Sequence, residues 1–253
     1  MSKYEALRVK LAKRENVNGT TITFFNEPML TEKLLRDNLD FLIFDMEHGR
    51  FNAESLRLHL YICRQLDIPS LVRVQDTEYH LIAKAVDMGA DGIVLPRAET
   101  PEQIQKALDA LYFYPIGQKG FGGYTQLRKG EGYNEFQRGR FLMPQIESPK
   151  GIENLPAMLK EYSPYISGMI VGPYDMSVMV GTPRDIYSDV MLASIKNVID
   201  ICREYNVSSG VYCNNIDEAS VYHKMGANIF WFTSDLEFFL DGYNRAFDAL
   251  SNL

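Results

Sequence analysis

Short β-branched or aromatic runs alternate with longer amphipathic stretches eight times along a chain of 253 residues. That alternation predicts an α/β fold of the (β/α)₈ TIM-barrel class in a single domain, residues 1–253. The helical stretches carry their own punctuation. Thr100-Pro101-Glu102 offers an N-cap, a proline for the first turn and an early acid. Met88-Gly89 and Met225-Gly226 read as helix ends with glycine in the left-handed position. A doubly wound open sheet is the structural rival, but it usually carries a Gly-rich nucleotide loop after its first strand. Phe24-Phe25-Asn26-Glu27 is no such loop.

The elements follow in order. After an N-terminal stretch of helical spacing, the first strand is expected at 20–24, with a helical pattern near 29–38. The Phe-Leu-Ile-Phe run at 41–44 is the second strand, followed by a helix over 53–66. Residues 70–74 and 92–95 are the third and fourth strands, with helices over 78–88 and 101–111. Strands at 142–146 and 168–171 precede helices over 150–161 and 190–205. The last two strands fall at 208–212 and 228–232, with helices over 215–225 and 235–250. One connection breaks this rhythm. Residues 114–140 form a long loop before strand five, rich in Gly, Tyr and basic residues. Loops of that length are usually functional or disordered, so a lid or a subunit contact is expected.

Composition excludes several function classes. A net charge of −7 argues against general nucleic-acid binding, which wants a basic face, and gives no attraction to an anionic membrane. No run approaches the ~18 apolar residues needed to span a bilayer. Cys63, Cys202 and Cys213 form no CxxC pair and suit free thiols in a reducing compartment. The N-terminus has five basic residues in its first sixteen but no apolar core, so it is no secretory signal. A cytoplasmic enzyme is expected.

The candidate chemistry lies at strand ends. Phe141-Leu142-Met143-Pro144 runs into Gln145-Ile146-Glu147-Ser148, and Met169-Ile170-Val171 runs into Gly172-Pro173-Tyr174-Asp175. Glu147 and Asp175 should therefore emerge at the carboxyl ends of neighbouring strands, where α/β folds build active sites. Two carboxylates converging there suit a hard divalent cation such as Mg²⁺ or Mn²⁺. The second strand ends in Asp45-Met46-Glu47-His48-Gly49, three polar groups costly to bury without partners. Arg73, inside an apolar strand, needs an anion: a substrate, or a structural ion pair with Asp45 or Glu47. Asp87 closes the third helix against the helix dipole, and His48 is the expected partner. Neither HxxxH nor a nucleophile elbow occurs, so Ser-His-Asp hydrolysis has no foothold.

Taken together and in order, Asp45-Met46-Glu47-His48-Gly49, Val72-Arg73, residues 89–96, Gly117-Gln118-Lys119-Gly120, Gln145-Ile146-Glu147-Ser148 and Gly172-Pro173-Tyr174-Asp175-Met176-Ser177 resemble the HpcH/HpaI aldolases. These are class II pyruvate aldolases related to the citrate lyase β-subunit, and the resemblance covers roughly residues 20–235. It implies a barrel that binds a divalent cation (Mg²⁺, Mn²⁺ or Co²⁺) through Glu147 and Asp175. It further implies reversible cleavage of a 4-hydroxy-2-oxo acid to pyruvate and an aldehyde through a metal-stabilised enolate. By the same correspondence Arg73 contacts pyruvate, and His48 paired with Asp87 moves protons. Gln145, Pro173 and Tyr174 border the substrate, and Asp45 supports the site from behind. Family members usually form hexamers that exchange the last helix, so a homo-oligomer (hexamer or trimer) is expected. Three departures concern the substrate: Tyr174 where the family often has Ala, Gly117-Gln118-Lys119-Gly120 for Gly-Glu-Arg-Gly, and Val211-Tyr212-Cys213 for a smaller pattern.

Other readings compete. A Schiff-base aldolase needs a desolvated lysine in the barrel, and no lysine falls in an expected strand. An acyl-CoA lyase needs a basic surface for phosphates, which Arg128, Lys129, Arg138 and Arg140 could supply. A non-catalytic sensor or scaffold predicts a damaged site, whereas every polar position is filled.

Overall fold

The computed structural model describes residues 1–34 and 38–253. Helix α1 (Lys3–Ala12) begins at Ser2, whose Oγ accepts from the Glu5 N–H at 3.1 Å. The chain continues through β1 (Val17–Ile22), α2 (Pro28–Lys33), β2 (Phe41–Asp45), α3 (Ala53–Gln65), β3 (Ser70–Arg73) and α4 (Tyr79–Met88). Next come β4 (Gly92–Leu95), α5 (Pro101–Leu111), α6 (Tyr133–Gly139), β5 (Phe141–Ile146), α7 (Pro149–Tyr162), β6 (Met169–Val171) and α8 (Pro173–Met179). The chain ends with α9 (Asp189–Glu204), β7 (Ser209–Cys213), α10 (Ile216–Met225), β8 (Ile229–Ser234) and α11 (Asp235–Leu250). All eight strands pair in parallel and in chain order, and β8 closes onto β1. This is the expected (β/α)₈ barrel.

Two apolar layers hold it. Phe41, Ile43, Leu71, Val94, Phe141, Met143, Ile170, Ile229 and Trp231 pack together inside the bore, with Tyr4, Leu7 and Leu11 of α1 closing one end. The alternate residues of the strands, such as Leu42, Phe44, Val72, Ile93 and Leu142, pack outward against the helices. That division follows from the two-residue period of a strand. Hydrogen bonds to the bases of β7 and β8 seat the chain around α1. Ser208 Oγ donates to the Leu11 carbonyl at 2.7 Å, and Asn228 Nδ2 to that of Glu15 at 3.0 Å.

Some boundaries moved. β1 ends at Ile22 because the next N–H groups do not join the ladder. Asp235 at the start of α11 takes them, accepting from Thr23 at 3.0 Å, Phe24 at 3.0 Å and Phe25 at 2.6 Å. α2 covers the start of the helical pattern near 29–38, and residues 35–37 of that pattern lie outside the described residues. The short α8 was not expected.

The long connection is no lid. Arg128 binds the Asp91 carboxylate in bidentate fashion, Nε at 2.8 Å and Nη2 at 2.6 Å, and stacks over Tyr4 at 4.1 Å. Arg140 pairs with Glu131 and donates to Tyr4 Oη at 3.0 Å. Asp91 and Arg140 immediately precede β4 and β5, so this network plugs the end of the barrel where strands begin. The Arg128 and Arg140 guanidinium groups are therefore used up by carboxylates, far from the strand ends that carry Glu147 and Asp175.

The last helix is unusual in the opposite sense. Phe238, Phe239, Leu240, Tyr243, Phe247 and Leu250 of α11 are all exposed. Beside it, a cleft of about 900 Å³ lined by Phe25, Leu30, Ile216, Phe230 and Phe232 separates α2 from α10. Among the described residues no helix is long and apolar enough to cross a membrane.

Asp91→Ala leaves buried guanidinium groups without their carboxylate. It is expected to cost about 3–5 kcal/mol of stability, read as a lowered midpoint in urea denaturation followed by circular dichroism.

Candidate active site

At the opposite end of the barrel, the carboxyl ends of the strands converge on a chamber of about 280 Å³. β2 and β3 pair with Asp45 beside Arg73, so both side chains reach the same level. Asp45, 1 % exposed, receives Arg73 Nε at 2.8 Å and Nη2 at 2.6 Å. Its Oδ1 also accepts from the backbone N–H groups of Glu47 and His48, at 3.0 and 3.3 Å. Asp45 therefore does two jobs: it fixes the guanidinium plane and shapes the turn that presents His48. Gly49 is required in that turn, because a Cβ there would stand 2.0 Å from the Asp45 carbonyl oxygen. The Arg73 guanidinium lies 5.1 Å from the centre of the Trp231 ring, a cation–π contact. Burial works against its charge, but the hydrogen bonds and charge of Asp45 outweigh burial and raise its pKa.

β5 and β6 deliver the acids. Glu147 follows β5, and its carboxylate accepts from Gln145 Nε2 at 2.6 Å and from the Arg97 backbone N–H at 3.0 Å. Asp175 lies in the first turn of α8, directly after β6. Gly172 makes room between them: a Cβ there would lie 2.2 Å from Glu147 Oε1. Burial pushes the Glu147 carboxyl up to about 7; the Arg97 N–H opposes that rise and the Asp175 charge adds to it. The same chamber holds the Gln145 Oε1 atom, buried and without a hydrogen-bond partner.

The geometry brings together most of the residues that the sequence singled out. Asp45, His48, Arg73, Gln145, Glu147, Pro173, Tyr174 and Asp175 all line the chamber. Asp87 does not. It sits near the C-terminal end of α4, and a helix following a barrel strand runs back to the face where strands begin. Within one chain it cannot meet His48. Its carboxylate instead accepts from the buried Lys119 ammonium at 2.6 Å, pinning the long connection. The carboxylate nearest His48 is that of Glu47, with Nε2 and Oε2 3.8 Å apart. Glu47 is buried and held by Arg97 Nη1 at 2.6 Å, while the His48 side chain is 62 % exposed. Burial raises the Glu47 pKa, against the charges of Arg73, His48 and Arg97.

Sequence reasoning missed Arg97. Its backbone donates to Glu147 while its φ of 49° lies in the left-handed region that non-glycine residues rarely adopt. No residue-type signal marks a backbone donor. Tyr174, read as a departure, stands at the rim with its hydroxyl accepting from Asn214 Nδ2 and its ring edge-on to Tyr212 at 6.2 Å. A second chamber of about 380 Å³ shares His48, Glu147 and Asp175 with the first.

Residues 23–241 match the family model described as HpcH/HpaI aldolase/citrate lyase. The chain belongs to that family. It is thereby a carbon–carbon lyase of the aldolase type. It is 24% identical over 226 residues to a 5-keto-4-deoxy-D-glucarate aldolase from Klebsiella pneumoniae, covering 88% of each chain. A hydroxypyruvate/pyruvate aldolase from Roseobacter denitrificans is 26% identical over 180 residues, 68% of this chain and 69% of that one. Its fold is similar to the crystal structure of an HpcH/HpaI aldolase from Desulfitobacterium hafniense, with a TM-score of 0.90 at 20% identity over 98% and 97% of the two chains.

Gly172→Ala forces Glu147 off its hydrogen bond with Gln145 without touching the core. We expect an unchanged far-UV spectrum and a loss of turnover on the order of 10²-fold, measured as aldol cleavage rate.

Proposed function

We propose that this lyase reversibly cleaves a 4-hydroxy-2-oxo acid to pyruvate and an aldehyde, with a divalent cation bound at Glu147 and Asp175. One observation carries the reading. Asp45 is neutralised by Arg73 and Glu47 by Arg97, which leaves Glu147 and Asp175 as acids without a cationic partner of their own. A buried carboxylate beside a second one calls for added positive charge. The donor set fits a hard cation: two carboxylates and the unpartnered Gln145 amide oxygen, all oxygen atoms. Two carboxylates and one amide oxygen fill only part of such a cation's coordination shell. Such a site keeps open positions, as Mg²⁺ and Mn²⁺ sites that bind substrate do.

When bound, the cation would supply Lewis-acid charge to the 2-oxo group. The chain's own residues do the rest. Arg73, locked by Asp45, presents a fixed positive charge to the oxygen that becomes negative when the C3 proton leaves, the kind of electrostatic support that usually dominates. His48, exposed at the junction of the two chambers, moves the proton to or from the aldehyde oxygen. Glu47 replaces Asp87 as the carboxylate that orients it. The small first chamber suits the pyruvyl half, and the second leaves room for the aldehyde. The names of the relatives, which act on 2-oxo acids and sugar-derived acids, support this substrate class.

We further propose that α11 is exchanged between copies of the chain. Phe238 and Phe239 touch Phe232 and Phe25 of the chain's own barrel, but both stay exposed, as do Leu240, Tyr243, Phe247 and Leu250, and the cleft of about 900 Å³ beside them is where an outer helix would pack. A helix and a matching vacancy on one chain are satisfied together by a second copy.

Two experiments test these readings. Proton exchange at pyruvate C3 in D₂O should require Mg²⁺ or Mn²⁺ and disappear in Glu147→Gln. The same substitution should raise the thermal midpoint of the metal-free protein, by removing a buried charge, and abolish the stabilisation of about 2.7 kcal/mol that metal gives at a hundredfold excess over its Kd. Absence of exchange with either metal would sink the aldolase reading. For the assembly, Phe239→Asp with Phe247→Asp should convert an oligomer into a monomer in sedimentation velocity; a wild-type monomer would refute the exchange.

A further inference from the structure

Trp231 is the single tryptophan of the chain and is 1 % exposed on β8. Its ring lines the 280 Å³ chamber, with Arg73 at 5.1 Å and Tyr212 edge-on at 5.5 Å. Its indole Nε1–H is buried and has no hydrogen-bond partner. Buried indole N–H groups usually find one, because an unmade hydrogen bond costs the full desolvation of the donor. A side chain needed only to fill the bore would serve as well as phenylalanine, so the nitrogen is the unexplained part. It is not alone there. Gln145 Oε1, an acceptor, is also buried and unpartnered in the same chamber. An orphan donor on a residue that lines the chamber, next to a rigid guanidinium, is the complement of a carboxylate oxygen.

We propose that Trp231 is a substrate-binding residue, whose indole N–H donates to a carboxylate oxygen of the 2-oxo acid beside Arg73. The ligand class rests on the aldolase reading above. The contact is made equally before and during the reaction, since the carboxylate keeps its charge throughout. It therefore acts on affinity and not on the rate of the bound complex. Tyr212 and Tyr174 continue the aromatic wall from Trp231 to the rim, which confines that end of the chamber to a short, planar acid head.

The single tryptophan makes the test direct. In the Mg²⁺-loaded protein, titration with oxalate, a non-reacting planar diacid, should change the Trp231 emission saturably. In Trp231→Phe, the KM for pyruvate in C3 exchange should rise about tenfold or more, with kcat within about twofold, and oxalate should inhibit correspondingly more weakly. A merely structural role would instead lower kcat and the thermal midpoint together. An unchanged KM in folded Trp231→Phe overturns the proposal whatever the emission does. If the variant does not fold, or if the wild type shows no exchange and the aldolase reading falls, the wild-type emission decides. A saturable response to oxalate then supports the Trp231 contact, and none refutes it.

Discussion

Eight parallel strands closed into a ring have one face where every strand ends and one where every strand begins. That polarity decides what each charged residue of this chain can do. Residues following strands, such as Glu47, His48, Glu147 and Asp175, share one chamber although they are far apart in sequence. Residues preceding strands, such as Asp91 and Arg140, share the other end with α1 and the long connection. Both ends bury charge, but they resolve it differently. At the closed end the Arg128–Asp91 and Arg140–Glu131 pairs match charge for charge and make a plug.

At the open end the matching is incomplete. Asp45 and Glu47 each hold an arginine, and those arginines in turn hold the turn and the strand ends in place. Glu147 is left to two neutral donors, the Gln145 amide and the Arg97 backbone N–H, with Asp175 nearby. Buried charge without a counter-charge is normally neutralised or relieved by structure. A buried carboxyl whose pKa burial raises, braced by a non-glycine residue at positive φ, is the kind of local cost that functional sites carry and their surroundings support.

Strand ends were legible because their chemistry is written in sequence: an apolar run that stops at an acid. Asp45, Glu147 and Asp175 follow from that rule, and Arg73 from a second one, that a cation inside an apolar strand needs an anion. Within one chain the Asp87–His48 pairing is ruled out by direction. Both lie at element ends, but a helix end and a strand end belong to opposite faces of the barrel. Arg97 was illegible because its link to Glu147 runs through a backbone N–H and its guanidinium meets Glu47 from 50 residues away, and the β1 boundary because its deciding partner, Asp235, lies 210 residues or more away. The long connection is marked as special by its length, yet nothing in the sequence shows that buried acids claim Arg128 and Arg140, one from the approach to β4 and one from the connection itself.

Asp235 also ties two features that look separate. Besides accepting from the Leu236 N–H of its own helix at 2.9 Å, it clamps residues 23–25 through three N–H groups at the start of α11. Thr21, Thr23 and Ser234 line the chamber on that side. The direction in which α11 leaves the barrel is therefore coupled to the wall of the site through one carboxylate. Any contact that fixes α11, including one made by a second copy of the chain, acts at the root of that clamp. Docking of the outermost helix and the shape of the chamber are in this way a single mechanical problem.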